Sequence, residues 1–145
     1  MIWKHEAMDK LRQYEARKQA LTNIQSEIKR LELDIQGIRS ADPDSSPVRG
    51  IGTSREDVML NNIVHRQELD NALAQTKIWV DTVENALSVL NPEEYILLDR
   101  FYIHPERKAA DRLAGDLHAD VKTIYRWKDD AILKFTKALY GVPET

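Results

Sequence analysis

The chain contains no cysteine. That removes disulfides, thiolate metal sites and cysteine nucleophiles together. Long apolar runs are also missing: nothing approaches the ~20 residues needed to span a bilayer. The amino terminus, Met1-Ile2-Trp3-Lys4-His5-Glu6, lacks the apolar core of a signal peptide. The expected setting is therefore cytoplasmic, with no membrane partner. Histidine is scarce and scattered, at positions 5, 65, 104 and 118, and no ligand spacing emerges from it. The acidic neighbours Glu93-Glu94 and Asp129-Asp130 diverge by about 100° on a helix and make no carboxylate dyad. No nucleophile elbow, phosphate-binding glycine loop or His-Glu-x-x-His motif occurs. The expectation is a non-enzyme with no metal and no cofactor.

What is present is charge and helical periodicity. Charged residues make up 31% and hydrophobic residues 42% of 145 residues, the balance of a globular, helix-rich protein. The net charge of −3 excludes a uniformly basic nucleic-acid coat. The distribution is uneven, however. Residues 1–103 hold 13 basic and 17 acidic side chains, whereas residues 104–140 hold 8 basic and 6 acidic. The carboxy-terminal part is the mildly cationic one, which implies modest, salt-sensitive affinity for phosphates.

Along the chain, residues 4–39 predict one long helix. Leu21, Ile24, Ile28, Leu31, Ile35 and Ile38 alternate spacings of 3 and 4, an a/d seam of nearly three heptads. Tyr14, Ala7 and Trp3 continue it, with Leu11 beside it. Residues 40–53 carry two prolines, two glycines and small polar residues, and predict a loop. Thr53 and Glu56 then have capping-box spacing at the start of a second long helix. That helix is expected to reach about Leu90, with a seam of Leu73, Thr76, Val80, Val83, Leu87 and Leu90, extended upstream by Leu69, Ile63 and Leu60. Stripes of this length need a partner helix, either in the same chain or in a second copy. The expectation is a hairpin that also forms a homodimer or higher homo-oligomer.

Asn91-Pro92-Glu93-Glu94 is a strong helix start: a cap, a proline at the first position and two carboxylates at the positive end of the dipole. The helix carries Tyr95, Leu97, Leu98, Phe101 and Tyr102 and is expected to stop before Pro105. A third is expected from about Glu106 to Leu117. Asp120 caps a fourth, from Val121 to about Tyr140, ended by Gly141 and Pro143. In these last two helices Leu113, Ala114, Leu117, Ala119, Ile124 and Trp127 fall where two short helices meeting across a tight turn must pack. That is a helix-turn-helix pattern, whose second helix enters a DNA major groove. Ala131, Ile132, Phe135 and Leu139 are placed to pack back on Leu97, Leu98 and Phe101. The predicted fold is all-α: residues 1–90 as a long helical hairpin or coiled coil for oligomerisation, residues 91–145 as a small helix-turn-helix domain.

The residues left outside the second helix of the motif are Lys122, Thr123, Tyr125 and Arg126, the candidates for contacts to base edges, since Arg or Lys to guanine is the commonest such pairing. Lys108, Arg112, Lys128 and Lys134 are candidates for phosphate contacts, which position without specifying. Asp120 is read as a cap and not as a base reader.

The segment Leu90–Leu139, with Leu90-Asn91-Pro92-Glu93-Glu94, the aromatic-rich Arg100-Phe101-Tyr102 and the helix-turn-helix from Leu113 to Lys128, resembles region four of bacterial sigma factors. The whole chain looks like the phage late-gene regulators of the ArpU and RinA type. One departure is His118, at a turn position that often carries glycine. The resemblance implies a phage-encoded, sequence-specific double-stranded DNA-binding activator of late or packaging genes, acting in the cytoplasm of a bacterial host, with RNA polymerase as a further partner. Two alternatives stand beside it: a packaging recognition subunit resembling small terminase subunits, and an interaction protein that binds RNA polymerase without touching DNA itself.

Overall fold

A computed structural model describes residues 2–40 and 54–141. Among these residues every regular element is helical, in the order α1 (Ile2–Ser40), α2 (Arg55–Leu87), α3 (Pro92–Leu98) continued by a π-helical turn (Asp99–Ile103), α4 (Ala109–Asp116) and α5 (Val121–Tyr140). The all-α class with two long amino-terminal helices is as the periodicity predicts. The predicted loop at 40–53 and the Thr53 member of the expected capping box lie outside the described residues, apart from Ser40, which closes α1. At the start of α2 it is Ser54 whose Oγ accepts the Asp57 backbone N–H at 3.0 Å.

The chain divides into two compact units. In the unit Gln19–Lys77 the second half of α1 meets the first half of α2 in the same chain. Asn62 Nδ2 donates to the Leu31 carbonyl at 2.9 Å, and the Arg55 guanidinium donates to the carbonyls of Ile38 and Arg39 at 2.5 and 3.1 Å. As the α2 number rises the α1 number falls, so the two run antiparallel. Arg55 satisfies the orphan carbonyls at the end of α1 with a cation, which suits the negative end of the helix dipole. Leu31 and Ile35 are buried as the seam predicts. Leu60 is a correction to the sequence reading: it is 58% exposed, and the inward position is taken by Asn62, 8% exposed. A polar residue is tolerated there because both ends of its amide are used, the oxygen accepting from Arg66 Nε at 2.9 Å.

The second unit draws on Met1–Lys18 and Ile78–Thr145. Here Ala7, Leu11 and Tyr14 of α1 and Val80, Val83 and Leu87 of α2 are buried. The Tyr14 hydroxyl donates to Glu84 Oε2 at 2.5 Å, and burial together with that carboxylate raises the phenol's pKa well above its ordinary value. The helix α2 ends at Leu87, three residues earlier than expected, and α3 begins as predicted. Asn91 and Glu94 form a reciprocal capping box, Glu94 N–H to Asn91 Oδ1 at 2.8 Å and Asn91 N–H to Glu94 Oε1 at 2.9 Å.

Between α3 and α4 the chain departs from the expected helices. The Asp99 carbonyl accepts the His104 N–H at 2.7 Å across a wide turn, and His104, which precedes Pro105, leaves the helical region at φ −123° and ψ 75°. The helix expected from Glu106 starts instead at Ala109, after Lys108 adopts a left-handed φ of 58°. His104 then faces two carboxylates, Nδ1 at 2.7 Å from Asp99 and Nε2 at 3.4 Å from Glu15 of α1. The hydrogen bond to Asp99 raises its pKa above 6.5. A raised folded-state value means a contribution complete below the unfolded pKa and lost as pH rises through the folded one. Unfolding titrations between pH 5 and 8.5 are therefore expected to show stability falling with pH by up to about 1 kcal/mol, the scale of an exposed ion pair. His104→Gln should remove that slope; a slope unchanged in the variant assigns it elsewhere.

Candidate nucleic-acid interface

The geometry of the interface follows from where the apolar residues of α4 and α5 point. Leu97, Ala110, Leu113 and Ile124 form one buried cluster, with Ile96, Phe101, Ala114, Leu117, Ala119 and Trp127 packed against it. Every position that the sequence pattern assigned to a helix-turn-helix core is in it. Ala131, Ile132 and Phe135, further along α5, are fully buried, and Leu139 is half-buried. The long helix is thus held along its inner face, and its outer face is fixed in orientation.

The turn between the two helices is tight. His118 takes a left-handed φ of 55°, the conformation that glycine adopts without strain, and the Ala119 N–H reaches back to the Ala114 carbonyl at 3.0 Å. Asp120 then caps α5, its Oδ1 accepting the Thr123 N–H at 2.7 Å. The hydrogen bonds from Thr123 hold its carboxyl below the usual carboxylate range. This is the capping role the sequence assigned. A left-handed non-glycine costs about 1–2 kcal/mol, and glycine forfeits part of that in the unfolded chain. His118→Gly is therefore expected to stabilise the protein by up to about 1 kcal/mol in denaturant unfolding; destabilisation would mean that the imidazole makes a compensating contact.

The four base-contact candidates lie on the first two turns of α5. Lys122, Tyr125 and Arg126 are exposed, and Thr123 is half-buried beside the cap. Val121, 37% exposed at the first position of the helix, joins this ridge. Its exposure has no signal in the sequence, because Val121 stands three residues before Ile124, on the same i, i+3 series as the core residues. An exposed methyl-bearing side chain there suits contact with the thymine C5-methyl group. Tyr125 is tilted against Phe101 of the π-helical turn with ring centroids 5.8 Å apart, so the turn that the sequence did not predict is what props this side chain.

The phosphate-contact candidates divide. Lys108 and Arg112 are exposed on the α4 side of the motif, Arg112 3.8 Å from Glu106. The Lys128 ammonium lies 5.2 Å from the Phe101 ring centroid and 5.3 Å from that of Tyr125, and 3.3 Å from Asp129. Lys134 pairs with Glu94 at 3.0 Å, the same carboxylate that closes the α3 capping box. A phosphate at Lys134 would have to displace that pair. Among the described residues no group of three or more His, Cys, Asp or Glu could hold a metal ion, and no helix is long and apolar enough to cross a membrane.

No protein-family model, no curated protein and no solved structure matches the chain.

Proposed function

We propose that the protein is a sequence-specific regulator of transcription that binds double-stranded DNA through α4 and α5, as a phage-encoded activator of late or packaging genes in the bacterial cytoplasm would. One observation carries this reading: Lys122, Tyr125 and Arg126 stand exposed on the first two turns of a helix whose opposite face, from Ile124 to Phe135, is packed. A rigid ridge bearing two cations and a phenol at the amino-terminal end of a second helix has the donors and the placement that major-groove readout uses. The mild charge of residues 104–140 suits an affinity that depends on salt. No catalytic step is assigned. In a homodimer, two copies of α5 would read half-sites about one helical turn, ~34–36 Å, apart.

Selection of bound duplexes from a random library with the full chain tests this directly. The expected result is enrichment of one short motif, as an inverted repeat if the protein dimerises. Failure to enrich any sequence at low salt overturns direct readout.

A further inference from the structure

Beside the recognition ridge lies an open groove of about 600 Å³ between α1 and the carboxy-terminal helices. One wall is a single face of α1: Lys4, Met8 and Arg12 follow one another at i, i+4 and i+8, the spacing of one helical stripe. The other wall is Phe101, Tyr125 and Lys128. Each cation is steered by its surroundings. Arg12 lies over the Tyr102 ring at 5.4 Å and is 3.2 Å from the exposed Asp9; Lys128 lies over Phe101 and Tyr125. Rings beneath the charged ends hold them by cation–π attraction and restrict their rotamers. Across the groove, Asp129 is 3.3 Å from Lys128 and 4.0 Å from Lys4.

We propose that this groove is a phosphate clamp, in which α1 grips the sugar-phosphate backbone of the duplex strand flanking the bases read by α5. This rests on the DNA-binding reading above and adds a second contacting element to it. Three arguments carry it. Tyr125 is shared between ridge and groove, so a strand passing along the ridge runs into the groove. The lining offers Lys4, Arg12 and Lys128 against Asp129, with His5 beside them; counting Asp9, which pairs with Arg12 at the rim, the groove still holds three cations to two carboxylates in a chain of net charge −3. A cation lies over each of Phe101, Tyr102 and Tyr125, which favours charge over base stacking as the chemistry on offer. Asp129 holds Lys4 and Lys128 in the absence of DNA. These pairs are half-buried, and the Asp129 carboxylate, the more open partner, can give way to phosphate oxygens that offer the same charge-assisted hydrogen bonds.

Salt-dependent binding distinguishes a clamp from a stripe of surface charge that merely solvates α1. The duplex selected by the full chain is titrated against unaltered protein, Lys4→Gln/Arg12→Gln and Asp129→Asn, at several salt concentrations. The clamp predicts that the double variant binds roughly 10-fold more weakly and that its salt slope falls by about 1 for each phosphate lost, with the selected sequence unchanged. It predicts that Asp129→Asn binds more tightly, a gain that damage to the fold would not produce. Neutral methylphosphonate linkages just outside the selected site should weaken the unaltered protein and leave the double variant largely insensitive. If the unaltered protein binds its selected duplex but the variants and the neutral linkages change nothing, the clamp is overturned and the recognition ridge stands. If the unaltered protein selects no duplex, both fall.

Discussion

Phe135→Ala is expected to lower the unfolding free energy by about 3–5 kcal/mol. Phe135 is the largest of the fully buried side chains, at 0% exposure on the inner face of α5. Removing its ring takes away the transfer free energy of a large apolar surface and leaves a cavity that helices fixed on both sides cannot close. The neighbours Ile132 and Thr136 are equally buried, and the Thr136 hydroxyl is already satisfied by the Ile132 carbonyl at 2.6 Å, so no polar group is waiting to fill the space. Typical domains hold 5–15 kcal/mol in total, so this one substitution would remove a large share. Denaturant unfolding reads it as a fall in midpoint at constant slope. A loss under 1 kcal/mol would mean that α5 relaxes onto α3, and that the outer face of α5 is not held as rigidly as its packing implies.

That rigidity is also what the sequence showed most clearly. Leu113, Leu117, Ile124 and Trp127 occur at positions where only a helix-turn-helix buries them together, and they do pack on one cluster. Asn91-Pro92 and Asp120 announced their helices because a cap is a local hydrogen bond, set by residues three apart. Periodicity failed where the deciding interaction was distant. Leu60 fits the apolar stripe of α2 by spacing, yet Asn62 is the inward residue, because the Leu31 carbonyl and Arg66 satisfy its amide. Nothing near Asn62 in sequence reveals the carbonyl it meets. The π-helical turn at Asp99–Ile103 and the left-handed Lys108 were missed for a related reason. Together they delay α4 to Ala109, and Ala109 and Ala110 at its start are buried. The candidate interface was legible as the residues left over once the core of α5 was assigned. The face of α1 that borders it was not, because the separation between Arg12 and Lys128 along the chain carries no pattern.

Replacing Lys122 and Arg126 together by alanine is expected to cost about 2–6 kcal/mol in binding to the selected duplex, the sum of two base contacts worth about 1–3 kcal/mol each. The two lie four residues apart on the exposed face of α5, one turn above the other. Both therefore face the same few base pairs, and their effects need not add strictly. Unlike loss of a phosphate contact, loss of a base contact falls unevenly across sequences. The variant should bind the selected site and a scrambled duplex with nearly equal affinity, whereas the unaltered protein separates them widely. Stability should stay within about 0.5 kcal/mol of the parent, since neither side chain is buried. Lys137→Ala, an exposed cation near the far end of α5, serves as the charge control and should preserve the preference. Were the double variant to discriminate between the duplexes as well as its parent, specificity would have to arise elsewhere on the molecule, and the ridge of α5 would be ordinary solvated surface.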